Sequence, residues 1–274
     1  MKKVLAVAAA AVLCAGVLGG CSGNAAETQS VEKIKEAGKI TMYTDAAFPP
    51  FEYTEGNNVM GVDVEIGLEI AKDLGVELDV KNVKFDTIVA GIQSGKAAFG
   101  AAGITMTDER KEAVDFSQEY YTSIQYIICK EGDNYSSIAD LAGKKIGVQL
   151  GTTGDFLIDE AVNGSEDEET KEHVKGALED SGAELKQYAT PVEAAQDLFN
   201  GRIDAVVVDK LPAESIAGQN EGYKAVEISD AEPESYGICV AKGNEDLLAA
   251  INKTLDRLKE EGKIEQYVLA HSEA

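Results

Sequence analysis

Tryptophan is absent from the 274-residue chain, aromatic residues make up only 6% of it, and histidine occurs twice, at His173 and His271. Both histidines lie in polar helical or terminal context, away from any cysteine. Metal coordination and Cys-His catalysis therefore lack their parts, and no resident cofactor is indicated. Positive charge is also scarce: 25 Lys and Arg stand against 49 Asp and Glu, a formal net charge of −24. So acidic a surface repels nucleic acid and anionic lipid and mildly favours cationic solutes at low salt. No Gly-Lys-Ser/Thr phosphate loop is present, and no repeat of solenoid period is visible.

The N-terminus carries an address. Lys2 and Lys3 precede an apolar run from Val4 to Val17 and then Leu18-Gly19-Gly20-Cys21. That run is shorter than the ~20 apolar residues that span a bilayer as a helix. Residues 1–20 read as a signal peptide and are set aside from fold reasoning. The Leu-Gly-Gly-Cys ending resembles a bacterial lipobox, in which the cysteine is lipidated and becomes the first mature residue, here Cys21. Residues 21–30 then form a flexible lipidated tether rich in polar and small residues. The expected location is extracytoplasmic, at the cell surface or in the periplasm, anchored to the membrane by lipid rather than embedded in it. Removing residues 1–20 takes Lys2 and Lys3 away, which leaves 254 residues with 23 basic side chains against 49 acidic ones. That length allows one large or two ordinary domains.

With Cys14 in the signal and Cys21 assigned to lipid, Cys129 and Cys239 remain, each inside an apolar, strand-like run. An exported context permits a disulfide, but nothing in the sequence brings their Cα atoms within the ~7 Å a bridge requires. Two buried free thiols are expected.

Strand and helix patterns alternate throughout, which predicts an α/β protein with mostly parallel sheets. In the first series a helix Val31 to Ala37 precedes strand Ile40 to Thr44. A turn-rich stretch Phe48 to Asn58 follows, then helix Val62 to Leu74, with Val62, Ile66, Ile70, Ala71 and Leu74 at helical spacing. Strand Glu77 to Val83, helix Asp86 to Ser94 and strand Ala97 to Ala102 complete it. After strand Ile124 to Lys130 a second series runs through strand Lys145 to Gln149, a helix, strand Glu184 to Tyr188, helix Val192 to Asn200 and strand Ala205 to Val208. Two series of about a hundred residues each suggest two lobes, each with its own sheet. The acidic segment 163–181 reads as a solvated helical or loop insertion, and the chain closes with helix Glu245 to Glu261 and a shorter helix near Tyr267.

The most informative stretch is Ala101 to Arg110, AAGITMTDER. Gly103 lets backbone approach a ligand closely, Thr105 supplies a hydroxyl, and Thr107 or Asp108 can cap a following helix. Arg110 offers a planar fork matched to two carboxylate oxygens. Together they suit a carboxylate ligand.

Further segments join it in order: Thr44 to Tyr53 (TDAAFPPFEY), Gly61 to Ile66 (GVDVEI), Asp115-Phe116-Ser117 with Tyr120-Tyr121, Gln149 to Gly154 (QLGTTG) and Gly201 to Asp209 (GRIDAVVVD). In that order they resemble the solute-binding proteins of bacterial ABC transporters for polar amino acids, extracellular solute-binding protein family 3, over essentially residues 38 to 270. The resemblance implies a two-lobed, periplasmic-binding-protein-like (type II) fold, with two mixed sheets flanked by helices and a hinge of two crossover strands. Lobe 1 would comprise 31–119 and 238–274 and lobe 2 would be 125–233, with hinges at 120–124 and 234–237. Arg110 would clasp the ligand's α-carboxylate with help from backbone amides at Thr105 and Thr153. Asp209 would take the α-ammonium, with the Gly103 carbonyl and the Thr105 hydroxyl as further acceptors. Phe48 and Phe85 would sandwich the ligand side chain, and Asp45 and Gln149 would face it, with Thr152 in the same loop. Considered singly, Phe48 and Phe85 suit a core and Asp209 suits a helix cap. A basic amino acid, arginine or lysine, is favoured, with glutamine or another polar one next. The partners implied are membrane permease subunits and an ATPase, and the state implied is a monomer. The same fold also implies two rivals, a periplasmic dehydratase-type enzyme and an amino acid sensor module.

Overall fold

The computed structural model describes residues 29–272. The expected signal peptide, Cys21 and most of the tether lie outside the described residues.

Two five-stranded mixed sheets organise the chain. In the first, strand Lys39–Thr44 runs parallel to both Glu77–Asn82 and Phe99–Gly100. Cys239–Ala241 then runs antiparallel between Phe99–Gly100 and Val114–Phe116. In the second, Lys145–Gln149 lies parallel between Glu184–Tyr188 and Ala205–Asp209, and Gln125–Lys130 runs antiparallel between Ala205–Asp209 and Tyr223–Glu227. The two sheets thus repeat one plan, three parallel strands followed by an antiparallel pair. This is the two-lobed architecture with mixed sheets and flanking helices that the resemblance implied.

The local causes are legible. Helix Val62–Leu74 buries Val62, Ile66, Ile70, Ala71 and Leu74 on one face, and Gly75 ends it in the left-handed region. Gly67 lets this helix lie close to the sheet, since a Cβ there would come within 2.8 Å of the Met42 sulfur. Strand Ala205–Asp209 is buried along its whole length, as expected where helices cover both faces of a sheet. Helix Pro191–Phe199 starts with the Thr190 hydroxyl accepting from the Glu193 amide and a proline in its first turn, both helix-start signals.

Every strand of the second sheet falls between residues 125 and 227, whereas the first sheet draws on residues 39–116 and 239–241, so the chain crosses between them twice. The crossings are the strands Tyr121–Ser123 and Glu234–Tyr236, which pair antiparallel to each other. Tyr236 is fully buried there, edge-on to Phe51 at 5.2 Å, and Tyr121 meets Phe51 at 4.9 Å. Aromatic packing of this kind contributes roughly 0.5–1.5 kcal/mol per pair beyond area burial. Cys129 and Cys239 occupy the equivalent antiparallel strands of different sheets and are free, buried thiols, in line with expectation.

Four expectations are corrected. The helix anticipated over Asp86 to Ser94 begins as a 3-10 turn, Phe85–Thr87, and is regular only over Ile88–Gln93. Strand Ala97 to Ala102 pairs only at Phe99–Gly100. The acidic segment 163–181 contains a small hairpin, Ser165–Glu166 against His173–Val174. Its turn forms because one Asp167 carboxylate oxygen accepts from the Thr170 amide and hydroxyl and from the Glu169 amide. Leu178, 1% exposed, pins the far end into the second lobe's core, so the segment is not wholly solvated. Between residues 47 and 60 the turn-rich stretch is a three-stranded antiparallel ribbon, Ala47–Phe48, Glu52–Glu55 and Asn58–Met60. Among the described residues no helix is long and apolar enough to cross a membrane.

Candidate functional site

The cleft between the two sheets is lined by Asp45, Phe48, Phe85, Gly103, Thr105, Arg110, Gln149, Thr152, Thr153 and Asp209, all ten candidates from the sequence, together with Glu52 and Ala102. They come from loops at strand ends. Asp45 follows Lys39–Thr44, Gly103 and Thr105 follow Phe99–Gly100, Gln149 ends Lys145–Gln149, and Asp209 ends Ala205–Asp209. Loops at the carboxyl ends of parallel strands are where α/β sheets place ligands.

Arg110 sits in the short helix Asp108–Ala113, whose start is capped by the Thr107 hydroxyl accepting from the Arg110 amide. The side chain is 8% exposed. Its guanidinium donates to the Thr105 carbonyl at 2.8 Å and to the Gly151 carbonyl at 2.9 Å, and lies 5.3 Å from the Phe85 ring centroid. Burial lowers its pKa from the ordinary value. Arginine nevertheless stays charged in proteins, so the remaining N–H donors present a fixed cation to the cleft.

Asp209 occupies the N-cap position of helix Lys210–Gly218 yet makes no capping bond. Its side chain turns into the cleft, where one oxygen accepts from the Tyr236 hydroxyl at 2.6 Å and the other from Gln125 at 3.1 Å. Burial, and then the charge of Glu234, push its carboxyl up to about 6. Asp45, 7% exposed, accepts from the Phe85 amide at 3.1 Å and from the Gln149 side-chain amide at 2.7 Å. Burial pushes this carboxyl up to about 6 as well. The Arg110–Gly151 and Asp45–Gln149 contacts tie residues of the first sheet's loops to residues of the second's. Thr152 is spent locally, donating to the Gln149 carbonyl and capping the helix Thr153–Asn163.

Gly103 has φ +53, and a Cβ there would stand 2.8 Å from the Phe48 ring. Its amide donates to the Asp63 carboxylate at 2.9 Å, which also accepts from the Tyr120 hydroxyl at 2.9 Å. The other Asp63 oxygen faces Glu52, whose own carboxyl is fully buried. As carboxylates, neither Glu52 oxygen nor that Asp63 oxygen finds a donor. A proton on Glu52 turns the same contact into a hydrogen bond to Asp63. Burial first, and the Asp63 charge second, do raise the Glu52 pKa well above its ordinary value. The Asp63 carboxylate holds the Gly103 loop in place, and a proton on Glu52 would brace that carboxylate from its other side.

Three participants escaped sequence reasoning: Glu52, Gln125 and Glu234. Glu52 and Glu234 belong to the quoted PPFEY segment and the second crossing, but nothing local distinguishes them from other acids in so acidic a chain. Gln125 sits at the entry of a buried strand, where its amide reaches Asp209, Glu234 and Thr153.

Among the described residues no group of His, Cys, Asp and Glu is arranged to hold a metal ion. The cleft holds a buried guanidinium, buried carboxyls and two aromatic rings, groups whose chemistry suits a small molecule bearing both charges.

Known proteins are similar to this chain in sequence and in structure. The arginine-binding extracellular protein ArtP of Bacillus subtilis (strain 168) is 30% identical over 267 residues, covering 97% of this chain and 96% of the relative. The L-cystine-binding protein TcyJ of Escherichia coli (strain K12) is 31% identical over 238 residues, covering 86% and 83%. The structure of an ancestral arginine-binding protein bound to arginine is similar with a TM-score of 0.75 at 37% identity, covering 85% of this chain and 98% of that one. The model of the bacterial extracellular solute-binding proteins, family 3, matches residues 40–271, from the first strand of the first sheet to the last helix, and the chain belongs to that family.

Proposed function

We propose that this protein is the extracytoplasmic substrate-binding component of an ABC importer and takes a free polar L-amino acid, arginine or lysine ahead of glutamine. The observation that carries this is the placement of Arg110 and Asp209, both buried and from different sheets, on one cleft, with Asp45 further along it. A zwitterion leaving water needs a paired cation and anion with hydrogen bonds, or its desolvation is uncompensated. In this reading Arg110 and the Thr105 and Thr153 amides take the α-carboxylate, and Asp209 and the Gly103 carbonyl take the α-ammonium. Phe48 and Phe85 flank the side chain, and Asp45 with Gln149 receives its polar end. The ligands named for the similar proteins, arginine and cystine, agree with an amino acid carrying a polar side chain.

Lobe 1 is then 31–119 with 238–274, and lobe 2 is 125–233, turning about 120–124 and 234–237. A ligand touching both lobes shifts the equilibrium toward closure, and the closed face is what permease subunits recognise. Cys21 supplies the lipid anchor, and the protein works as a monomer.

A dehydratase-type enzyme is the second reading, favoured by a carboxyl in the cleft, Asp45, whose pKa is near 6. One of its oxygens accepts from both the Phe85 amide and the Gln149 side-chain amide, bonds that favour the ionised form over the protonated form a general acid needs. Binding is therefore placed first.

The test is thermal unfolding of the ligand-stripped protein against each common amino acid at about a thousand times Kd, where specific binding adds roughly 4 kcal/mol and several degrees. Shifts with arginine and lysine support pairing of Asp45 with a cation, and a shift with glutamine alone assigns Asp45 to an amide. Absence of any shift removes the proposal. Arg110→Ala should weaken binding by several kcal/mol, as when one partner of a buried charge pair is lost, and unchanged affinity would overturn the carboxylate assignment.

A further inference from the structure

Glu234 begins the second crossing strand, opposite Ser123 of the first. One of its carboxylate oxygens accepts from the Thr105 hydroxyl and from the Thr153 hydroxyl, both at 2.6 Å. The other accepts from the Gln125 amide at 3.0 Å, and the same amide nitrogen reaches Asp209 at 3.1 Å. Thr105 follows the first sheet, while Thr153 opens a helix on the second. A single carboxylate on the crossing therefore gathers hydroxyls from both lobes and is joined through Gln125 to Asp209.

A threonine hydroxyl has one proton and two lone pairs. Once the proton is committed to Glu234, only lone pairs remain for a ligand, so the oxygen accepts from an ammonium and turns away a carboxylate. The Arg110 guanidinium donates to the Thr105 and Gly151 carbonyls rather than to Glu234, so the carboxylate of Glu234 does not stand in for that of a ligand.

We infer that Glu234 is a positioning residue for ammonium recognition: it fixes the Thr105 and Thr153 hydroxyls as acceptors and, beside Asp209, makes that end of the cleft doubly anionic. The inference rests on the amino acid reading above and adds to it a residue on the crossing strand that sets which end of the zwitterion goes where. The polar set is complete only when both lobes are together, because its two hydroxyls come from opposite sides.

The experiment is calorimetric titration of the purified wild type, E234Q and E234D with L-arginine and L-glutamine. Each is compared with its analogue lacking the α-amino group, 5-guanidinopentanoate and 5-amino-5-oxopentanoate. In E234Q, affinity for the amino acid should fall at least tenfold while that for the analogue changes less than twofold, and E234D should bind the amino acid with intermediate affinity. If the analogues are too weak to measure, tighter amino acid binding by E234D than by E234Q supports the inference, and equal or weaker binding overturns it. Should E234Q fail to fold, judged by thermal unfolding without ligand, a drop of at least threefold in E234D confined to the amino acid takes its place. Unchanged or tighter amino acid binding in E234Q, or equal losses for amino acid and analogue, overturns the inference and leaves the function standing. A wild type that binds neither amino acid nor any other overturns the functional reading, and this inference with it.

Discussion

Single residues in the cleft are held in states that their identity does not reveal. Glu52 is acidic by type, yet its environment favours the neutral form, because burial beside Asp63 lets one proton join a Glu52 oxygen to an Asp63 oxygen that otherwise lacks a donor. Glu52→Gln preserves the donor, so its thermal midpoint at pH 7 should stay within about 2 °C of wild type. Glu52→Ala should cost about 1–3 kcal/mol in urea unfolding, since the Asp63 oxygen not bonded by Gly103 and Tyr120 loses its donor. Equal losses in the two variants would show that the proton has no part. Gly103 is constrained differently, with its left-handed φ and a would-be Cβ 2.8 Å from Phe48. Gly103→Ala should displace the Phe48 wall and cost about 1–3 kcal/mol of stability together with ligand affinity, read by denaturant unfolding and calorimetry. The glycine was legible in the sequence within AAGITMTDER. The reason only glycine fits was not, because the Phe48 ring it would strike is supplied by a separate segment of chain.

Among the elements, helix Val62–Leu74 follows its apolar period, and strand Ala205–Asp209 follows its apolar run. Elements whose form depends on neighbours were not legible. Strand Tyr223–Glu227 passed unnoticed because it is an edge strand of half-buried residues, formed by pairing with Gln125–Lys130. The hairpin within 163–181 is set by hydrogen bonds to Asp167, a turn chemistry that a run of acids conceals. The last two helices, Glu245–Glu260 and Lys263–Ser272, dock on Val62–Leu74 with an ion-pair network as part of the joint. Arg257 donates to Glu69 at 2.7 Å and to Asp73 at 2.8 Å, with 30% of its side chain exposed. Arg257→Ala should lower unfolding free energy by about 1 kcal/mol, less at high salt, since exposed pairs are screened. A loss above about 3 kcal/mol would mean that the network acts as a buried one.

Over the whole molecule, excess negative charge and buried carboxyls make pH the governing variable. Asp45, Asp63 and Asp209 are pushed up to about 6, and Glu52 is raised well above its ordinary value, in each case chiefly by burial. The unfolded chain returns them to ordinary carboxyl values near 4. Between about pH 4 and 6 the folded protein therefore holds more protons than the unfolded one, and stability falls as pH rises through that window. Without ligand, the thermal midpoint should be higher at pH 5 than at pH 8, and the opposite order would contradict the buried-acid description. A cationic group entering beside Asp209 and Asp45 favours their ionised forms. Binding at pH 6 should then release protons, detectable as a buffer-dependent calorimetric enthalpy, and affinity should weaken as pH falls below 6. The alternation of strand and helix, the two-series layout and the ordered segments around Arg110 and Asp209 were determined by the sequence itself, because periodicity, turn residues and motif spacing are local properties. Only the tertiary structure decided that Asp209 faces a cleft instead of capping its helix, that burial favours the protonated form of Glu52, and that Glu234 collects two hydroxyls from opposite lobes. Those outcomes rest on contacts such as Thr105 to Glu234, 129 residues apart, and Asp45 to Gln149, 104 apart. Contacts at that separation exist only after both sheets have formed and the two crossings have brought their strand ends together.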